Sequence, residues 1–200
     1  MATICKKAVK LFGARMINDA QGVMLMDMEI QKQHVIPVAI LTASDRSSRG
    51  ERADLSGKVI KEIVEKAGWE AVSYKIVPDE KQVLKKELIH LSDDMKVALV
   101  LITGGTGLAP RDFTPEATLE VIDKEVPGLA EAMRRESLKK TPHAMLSRAV
   151  CGIRKHTLII NLPGSPRAVQ ECLDTIMPAL PHALELLRGA VADCGSSEIN

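Results

Sequence analysis

Aromatic residues are nearly absent from this chain: one Trp, one Tyr and two Phe in 200 positions. So few leave little for stacking on nucleic-acid bases, and a net charge of +1 supplies no basic surface to attract a polyanion. No apolar stretch reaches the roughly 18 residues of a membrane helix. The four cysteines, Cys5, Cys151, Cys172 and Cys194, lie far apart and include no C-x-x-C pair. That argues against a zinc site or redox motif and fits a reducing, cytoplasmic setting. Two phosphate motifs are missing as well. Counting from Gly105 and Gly107, the third glycine of G-x-G-x-x-G is replaced by Pro110. No lysine follows any glycine of this turn, as a P-loop requires. The remaining composition, 46% hydrophobic and 26% charged, suffices for one substantial core.

The most informative stretch is the run Val97-Ala98-Leu99-Val100-Leu101-Ile102, which breaks into Thr103-Gly104-Gly105-Thr106-Gly107. Six apolar residues bounded by glycines predict a strand buried on both faces. Glycines let the backbone approach a ligand and present N–H groups to an anion. Thr114 is a good N-cap and Pro115 suits the first helical position, so a helix is expected to open there. Strand, bare turn and helix start make a place to hold a phosphate. A tight turn without a ligand would show the same glycines.

From residue 34 onward, strand and helix patterns alternate. Strands are expected at 35–42, 70–77, 97–102 and 157–162. Helices are expected at 55–66, 80–91, 115–124, 128–138 and 166–188, the last bent near Pro178 and Pro181. Apolar strands alternating with helices imply parallel pairing and helices on both sheet faces. The domain is therefore placed at 34–190, between an N-terminal extension (1–33) and a short tail (191–200). In the extension, Lys6, Lys7, Lys10 and Arg15 precede the first acid, Asp19. It lacks the Ser-rich character of a transit peptide. Its alternating Met24, Met26 and Met28 suit a strand with one apolar face.

Ligands of such folds bind at the carboxyl ends of strands, and the polar motifs fall there. Ser44-Asp45-Arg46 with Asp54 and Ser56-Gly57 follows the first strand, and Pro78-Asp79-Glu80 the second. The glycine turn with Arg111-Asp112 follows the third, and Asn161-Leu162-Pro163-Gly164-Ser165 the fourth. Asp54, Ser56 and Asp79 could each simply cap a helix. Together the four loops offer carboxylates for a divalent cation, N–H groups for phosphates, and hydroxyls. His143 and His156 suit solvated loops, and Cys151 a small buried hydrophobe.

These motifs, with residues 111–117, Leu146-Ser147-Arg148 and residues 178–183, resemble the molybdopterin-binding domain family of molybdenum cofactor synthesis. The likeness spans about residues 37–189. It implies a three-layer α/β/α sandwich with a mostly parallel sheet, assembled as a homotrimer. It implies Mg²⁺-dependent transfer of AMP from ATP to the terminal phosphate of molybdopterin, releasing pyrophosphate. It also implies the molybdate-insertion protein of the pathway as a partner. Neither a nucleic acid nor a membrane is an expected partner. The family's catalytic aspartates fall on Asp79 and Asp112, which are also the implied metal ligands.

Molybdopterin is implied around Thr103, Gly104, Gly105, Thr106, Gly107, Thr114, Pro115, Ser147 and Arg148. The nucleotide is implied near Ser44, Asp45, Asp54, Ser56, Gly57, Pro163, Gly164 and Ser165. A sister family, protein B of the pathway, shares the glycine turn but is thought to lack the transfer activity. Its Asp-Glu and Arg-Asp-x-Thr-Pro-Glu runs are typically altered, whereas both are intact here. A third reading is a scaffold module. Gephyrin-like proteins add a long linker and second domain for that purpose, and neither follows residue 189 in this sequence.

Overall fold

The computed structural model describes residues 35–189. The N-terminal extension with Met24, Met26 and Met28, and the tail 191–200, lie outside the described residues. Six strands form one sheet: β1 (Pro37–Ala43), β2 (Glu70–Val77), β3 (Leu99–Thr103), β4 (Lys124–Glu125), β5 (Cys151–Arg154) and β6 (Thr157–Leu162). Their order is β2-β1-β3-β6-β5-β4. The first four pair in parallel, while β5 is antiparallel to both β6 and β4. The helices are α1 (Asp45–Ser48), α2 (Leu55–Lys66), α3 (Lys81–Ile89), α4 (Thr114–Leu119), α5 (Pro127–Leu138), α6 (Pro166–Ile176) and α7 (Leu180–Leu187).

Strands buried on both faces need a core on each side, and two are present. Val38, Ile40, Leu99, Leu101, Leu158 and Ile160 face Ile60 and Val64 of α2, Met133 of α5, and Val169 and Leu173 of α6. The alternate residues Ala39, Leu41, Val100, Ile102 and Ile159 face Leu84 and Leu88 of α3 and Ala117 of α4. This period-2 division of continuous apolar runs produces the three layers. Each fully buried Leu or Ile contributes about 1.5–3 kcal/mol of transfer free energy before entropy is charged against it. Strand β2 lies at the edge and alternates between exposed and half-buried residues.

The expected α2 coincides with its observed span, and it stops at Gly68, which takes φ +75° just past the last turn. Two expectations are corrected. The helix expected over 115–124 ends at Leu119, because Asp123 N donates to Ile153 O and Lys124 pairs with Ile153 in the sheet. The helix expected over 166–188 is two helices separated by a 3₁₀ turn, Met177–Ala179, holding Pro178. Pro178 has no N–H to continue the ladder. Strand β5 has no counterpart among the expected strands, being only four residues long and containing Gly152.

Candidate active site

The register aligns Thr42 of β1, Thr103 of β3 and Leu162 of β6 at one level, and Ala43 with Val77 of β2. The loops leaving these ends meet above the sheet. Direct bonds join them. Thr103 Oγ1 donates to Pro163 O at 2.6 Å, and Ser56 Oγ to Gly164 O at 2.8 Å. Ser165 caps α6 by accepting from Ala168 N, so this fourth loop is held from three sides.

The glycine turn is bent by successive positive φ angles, +92° at Gly104 and +61° at Gly105. A Cβ on Gly104 would run into the carbonyl oxygen of Ala43. A Cβ on Gly105 would lie 2.6 Å from Thr114 Oγ1 and 3.0 Å from Asp79 Oδ1. Both of those oxygens are buried and lack a hydrogen-bond partner. Two orphaned oxygens thus converge on a position that only glycine leaves open. Among the described residues, none of the amides of Gly105, Thr106 and Gly107 donates to a main-chain carbonyl. The turn therefore offers free N–H donors beside unsatisfied oxygens. Such an arrangement is costly without a ligand.

Thr114 is not the N-cap that its sequence context suggests. Phe113 occupies that position without a side-chain bond, Thr114 is the first helical residue and Pro115 the second. Packing of α4 against the sheet turns the Thr114 hydroxyl inward, toward Gly105, where it is fully buried. Gly105 O accepts from Thr114 N at 3.1 Å, which fixes the turn to the helix start.

Asp79 does not cap α3; that position belongs to Glu80, which makes no side-chain cap. Asp79 Oδ2 instead accepts from Asp45 N at 2.9 Å, leaving Oδ1 free. Burial raises the Asp79 carboxyl above its ordinary range, and the charges of Asp45 and Asp112 add to the effect. Asp45 is held low by the Arg111 guanidinium, whose Nε and Nη2 donate to its two oxygens at 2.6 and 3.0 Å. Asp112 Oδ2 accepts from Ala109 N at 2.9 Å and sits 2.9 Å from where a Gly107 Cβ would be.

Other candidates face the protein. Asp54 caps α2 through Gly57 N, and its second oxygen accepts from Thr42 Oγ1 and Tyr74 Oη at 2.6 and 2.7 Å. Gly57 is required there, since a Cβ would strike Asp54 and Tyr74. Ser44 caps the short α1 by accepting from Ser47 N. Arg148 Nε donates to Gly107 O and Nη2 to Asp112 O, and its Nη1 pairs with Glu116. Ser147 and Thr106 line a mostly apolar cavity of about 280 Å³ that also receives Met133, His143, Leu146 and Cys172. A second groove of about 700 Å³, along α3, is lined by none of these loop residues. Burial pushes the Cys151 thiol up to about 12, as befits a core residue. His156 Nδ1 lies 3.0 Å from Leu187 O, away from Ser147's cavity lining.

Sequence reasoning passed over two supports. Tyr74 tethers Asp54, and Arg134 Nη1 donates to Ala149 O at 2.9 Å, fixing the segment after Ser147. A tyrosine placed on the exposed face of a strand was the only signal for the first.

Among the described residues, no group of three or more His, Cys, Asp or Glu could hold a metal ion. The charges of Asp45 and Asp112 both act on the Asp79 carboxyl, so Asp79 lies among neighbouring carboxylates. Mg²⁺ is commonly held by one or two carboxylates together with substrate phosphates. The unpartnered Asp79 Oδ1 fits that requirement.

Fold and site define an α/β domain with a bare glycine turn set between carboxylates at the ends of its parallel strands. Residues 39–182 match the family model described as "Probable molybdopterin binding domain", and the chain belongs to that family. It is 47% identical over 156 residues to the molybdopterin adenylyltransferase of Helicobacter pylori strain J99, covering 77% of this chain and 89% of that protein. The solved structure of the molybdopterin biosynthesis enzyme MoaB from Thermus thermophilus is 52% identical, with a TM-score of 0.74. That match covers 78% of this chain and 98% of the other. A structure of MogA is 40% identical, with a TM-score of 0.72, over 76% and 99% of the two chains.

Proposed function

We propose that this protein is a molybdopterin adenylyltransferase of molybdenum cofactor biosynthesis. It would transfer AMP from ATP to the terminal phosphate of molybdopterin. The observation that carries the reading is the convergence of Asp79 Oδ1 and Thr114 Oγ1, both buried and unpartnered, on the vacant Cβ position of Gly105.

An oxygen of the molybdopterin phosphate attacks the α-phosphorus of ATP. The new P–O bond forms as the bond to the β-phosphate oxygen breaks, and pyrophosphate leaves. Both reactants are anions, so the barrier is charge and positioning more than proton transfer. The free amides of Gly105, Thr106 and Gly107 hold the attacking phosphate, assisted by the start of α4. The Thr114 hydroxyl donates to the same group. Pro163, Gly164 and Ser165, tied to Ser56 and Thr103, border the nucleotide's loops, with Ser44 and Asp45 beyond. Asp54 and Gly57 shape this region from behind by fixing the start of α2. Asp79 and Asp112 would hold Mg²⁺, which supplies charge neutralisation at the phosphates when bound. Ser147 and the 280 Å³ cavity offer the apolar room that a pterin needs.

A second reading draws on the 52% identity to the Thermus thermophilus MoaB: a family member that binds molybdopterin or a nucleotide without transfer. The intact Asp79-Glu80 and Arg111–Glu116 residues favour the enzyme. Incubation with ATP, Mg²⁺ and molybdopterin, followed by chromatography of the products, decides between them. Adenylyl-molybdopterin and pyrophosphate are expected. Binding of molybdopterin without either product would overturn the transferase reading.

A further inference from the structure

The loop of residues 107–112 is exposed from Leu108 to Arg111, yet it carries Asp112. Two internal bonds shape it: Asp112 N donates to Ala109 O, and Ala109 N to Asp112 Oδ2, both at 2.9 Å. These close the second half of the loop on itself. They do not fix how the loop sits against the domain.

Arg148 supplies that attachment. Its Nε donates to Gly107 O at 2.7 Å, at the loop's first residue. Its Nη2 donates to Asp112 O at 2.6 Å, at the last residue. Its Nη1 pairs with Glu116 on α4, and its own amide donates to Thr106 O at 3.0 Å. All three guanidinium nitrogens are committed to protein oxygens. The side chain is one-third exposed, so the clamp lies partly out of water. A planar fork can bridge two carbonyls and a carboxylate at once, and an ammonium cannot match that geometry. Among the described residues, the one ion pair made by the loop's own side chains is Arg111 with Asp45, a second tie that holds the middle of the loop and neither of its ends.

We propose that Arg148 is a positioning residue: its guanidinium braces both ends of the 107–112 loop and so sets the Asp112 carboxylate against the glycine turn. This differs from the expectation that Arg148 binds molybdopterin, and it rests on the reading of Asp112 as a transfer residue.

The test uses the full chain with Arg148→Gln and Arg148→Lys, each alone and combined with Asp112→Asn. In both single variants kcat should fall roughly ten- to a hundredfold, the scale of a small misplacement of a reacting group. KM for ATP and for molybdopterin should stay within about twofold of the parent. Adding either change to Asp112→Asn should cost nothing further in kcat. Amide hydrogen exchange at Ala109 and Asp112 should accelerate in both variants while the β1, β3 and β6 amides keep their protection. Weakened molybdopterin affinity with kcat preserved would make Arg148 a ligand residue and overturn the proposal. So would wild-type behaviour of Arg148→Lys, or unchanged exchange at Ala109 and Asp112. If the parent shows no adenylyl transfer, the functional reading fails, and the exchange measurement still decides whether Arg148 braces the loop.

Discussion

Asp45 and Asp79 hold each other reciprocally. Asp45 N donates to Asp79 Oδ2 at 2.9 Å, and Asp79 N donates to Asp45 Oδ1 at 3.1 Å. The loops after β1 and β2 are thereby locked together, with one carboxylate driven down in pKa by Arg111 and the other driven up by burial. Two carboxylates in direct partnership with opposite shifts are suited to different tasks.

The Asp79 shift has a defined sign in stability. The folded state holds the Asp79 proton more tightly than the unfolded chain does, so the ionised form at neutral pH costs stability. Asp79→Asn, whose amide oxygen can still accept from Asp45 N, is expected to abolish transfer yet raise Tm at pH 7. The gain should fade as the pH falls through the raised Asp79 value toward the ordinary 3.8. Calorimetry over a pH series checks this, and a gain that grows on acidification contradicts it.

Asp112→Asn should leave the fold and molybdopterin affinity intact, since an amide oxygen can replace Oδ2 as acceptor for Ala109 N. Transfer should lose on the order of several kcal/mol of transition-state stabilisation, because charge neutralisation is the main device. Single-turnover kinetics alongside equilibrium binding measures both. Near-normal turnover would reduce Asp112 to a loop-shaping residue.

The two positive-φ glycines should separate. Gly104→Ala meets the carbonyl of Ala43 in β1, so it should damage folding foremost. Gly105→Ala meets Thr114 Oγ1 and Asp79 Oδ1, so it blocks the cradle as well as straining the backbone by about 1–2 kcal/mol. Some loss of Tm is therefore expected for Gly105→Ala. Molybdopterin affinity should fall further than stability explains, with ATP affinity little changed. Thermal melts and titrations on the same protein distinguish the cases. Normal molybdopterin affinity in folded Gly105→Ala would show that the turn shapes only the chain.

Thr118 and Asn161 join α4 to the sheet. Thr118 Oγ1 donates to Thr114 O and accepts from Asn161 Nδ2 at 2.9 Å, while Asn161 Oδ1 accepts from Val150 N. Both side chains are fully buried. Thr118→Val strands the Asn161 amide and should destabilise by about 1–3 kcal/mol in urea unfolding. A change within error would mean that water replaces the lost partner.

The family resemblance implies a homotrimer. Light scattering at micromolar concentration should give three times the 21.7 kDa of one chain. A monomer mass would remove the expectation.

Much of the fold was visible in the residues because local and tertiary demands agree. In α2, the cap Asp54, the apolar spacing and the stop at Gly68 point the same way, and its span matches. Strand β3 announces itself by an unbroken apolar run, and β6 by Leu158-Ile159-Ile160 at its centre. Where tertiary pairing overrides local preference, the pattern misleads. The helix expected over 115–124 takes in Asp123 and Lys124, yet Asp123 donates to Ile153 of β5 and Lys124 pairs with it in the sheet. The loops of the candidate site could be placed by strand-end logic. Which way each side chain turns could not. Thr114 looks like a cap until the sheet packs behind it, and nothing in the residues around Arg148 shows that its guanidinium donates to Gly107, Asp112 and Glu116.

The parallel register of β1, β3 and β6 has a consequence for how the chain acquires its ligand site. Each of these pairings closes over a long crossover, so each costs loop entropy before any contact compensates it. The glycine turn, Asp79 and the 163–165 loop are brought within reach of one another only when all of those crossovers have closed. A partly assembled sheet carries the residues without the cradle. Recovery of molybdopterin binding during refolding is therefore expected only after the last of these pairings has formed, and titration of refolding chains with molybdopterin measures that delay.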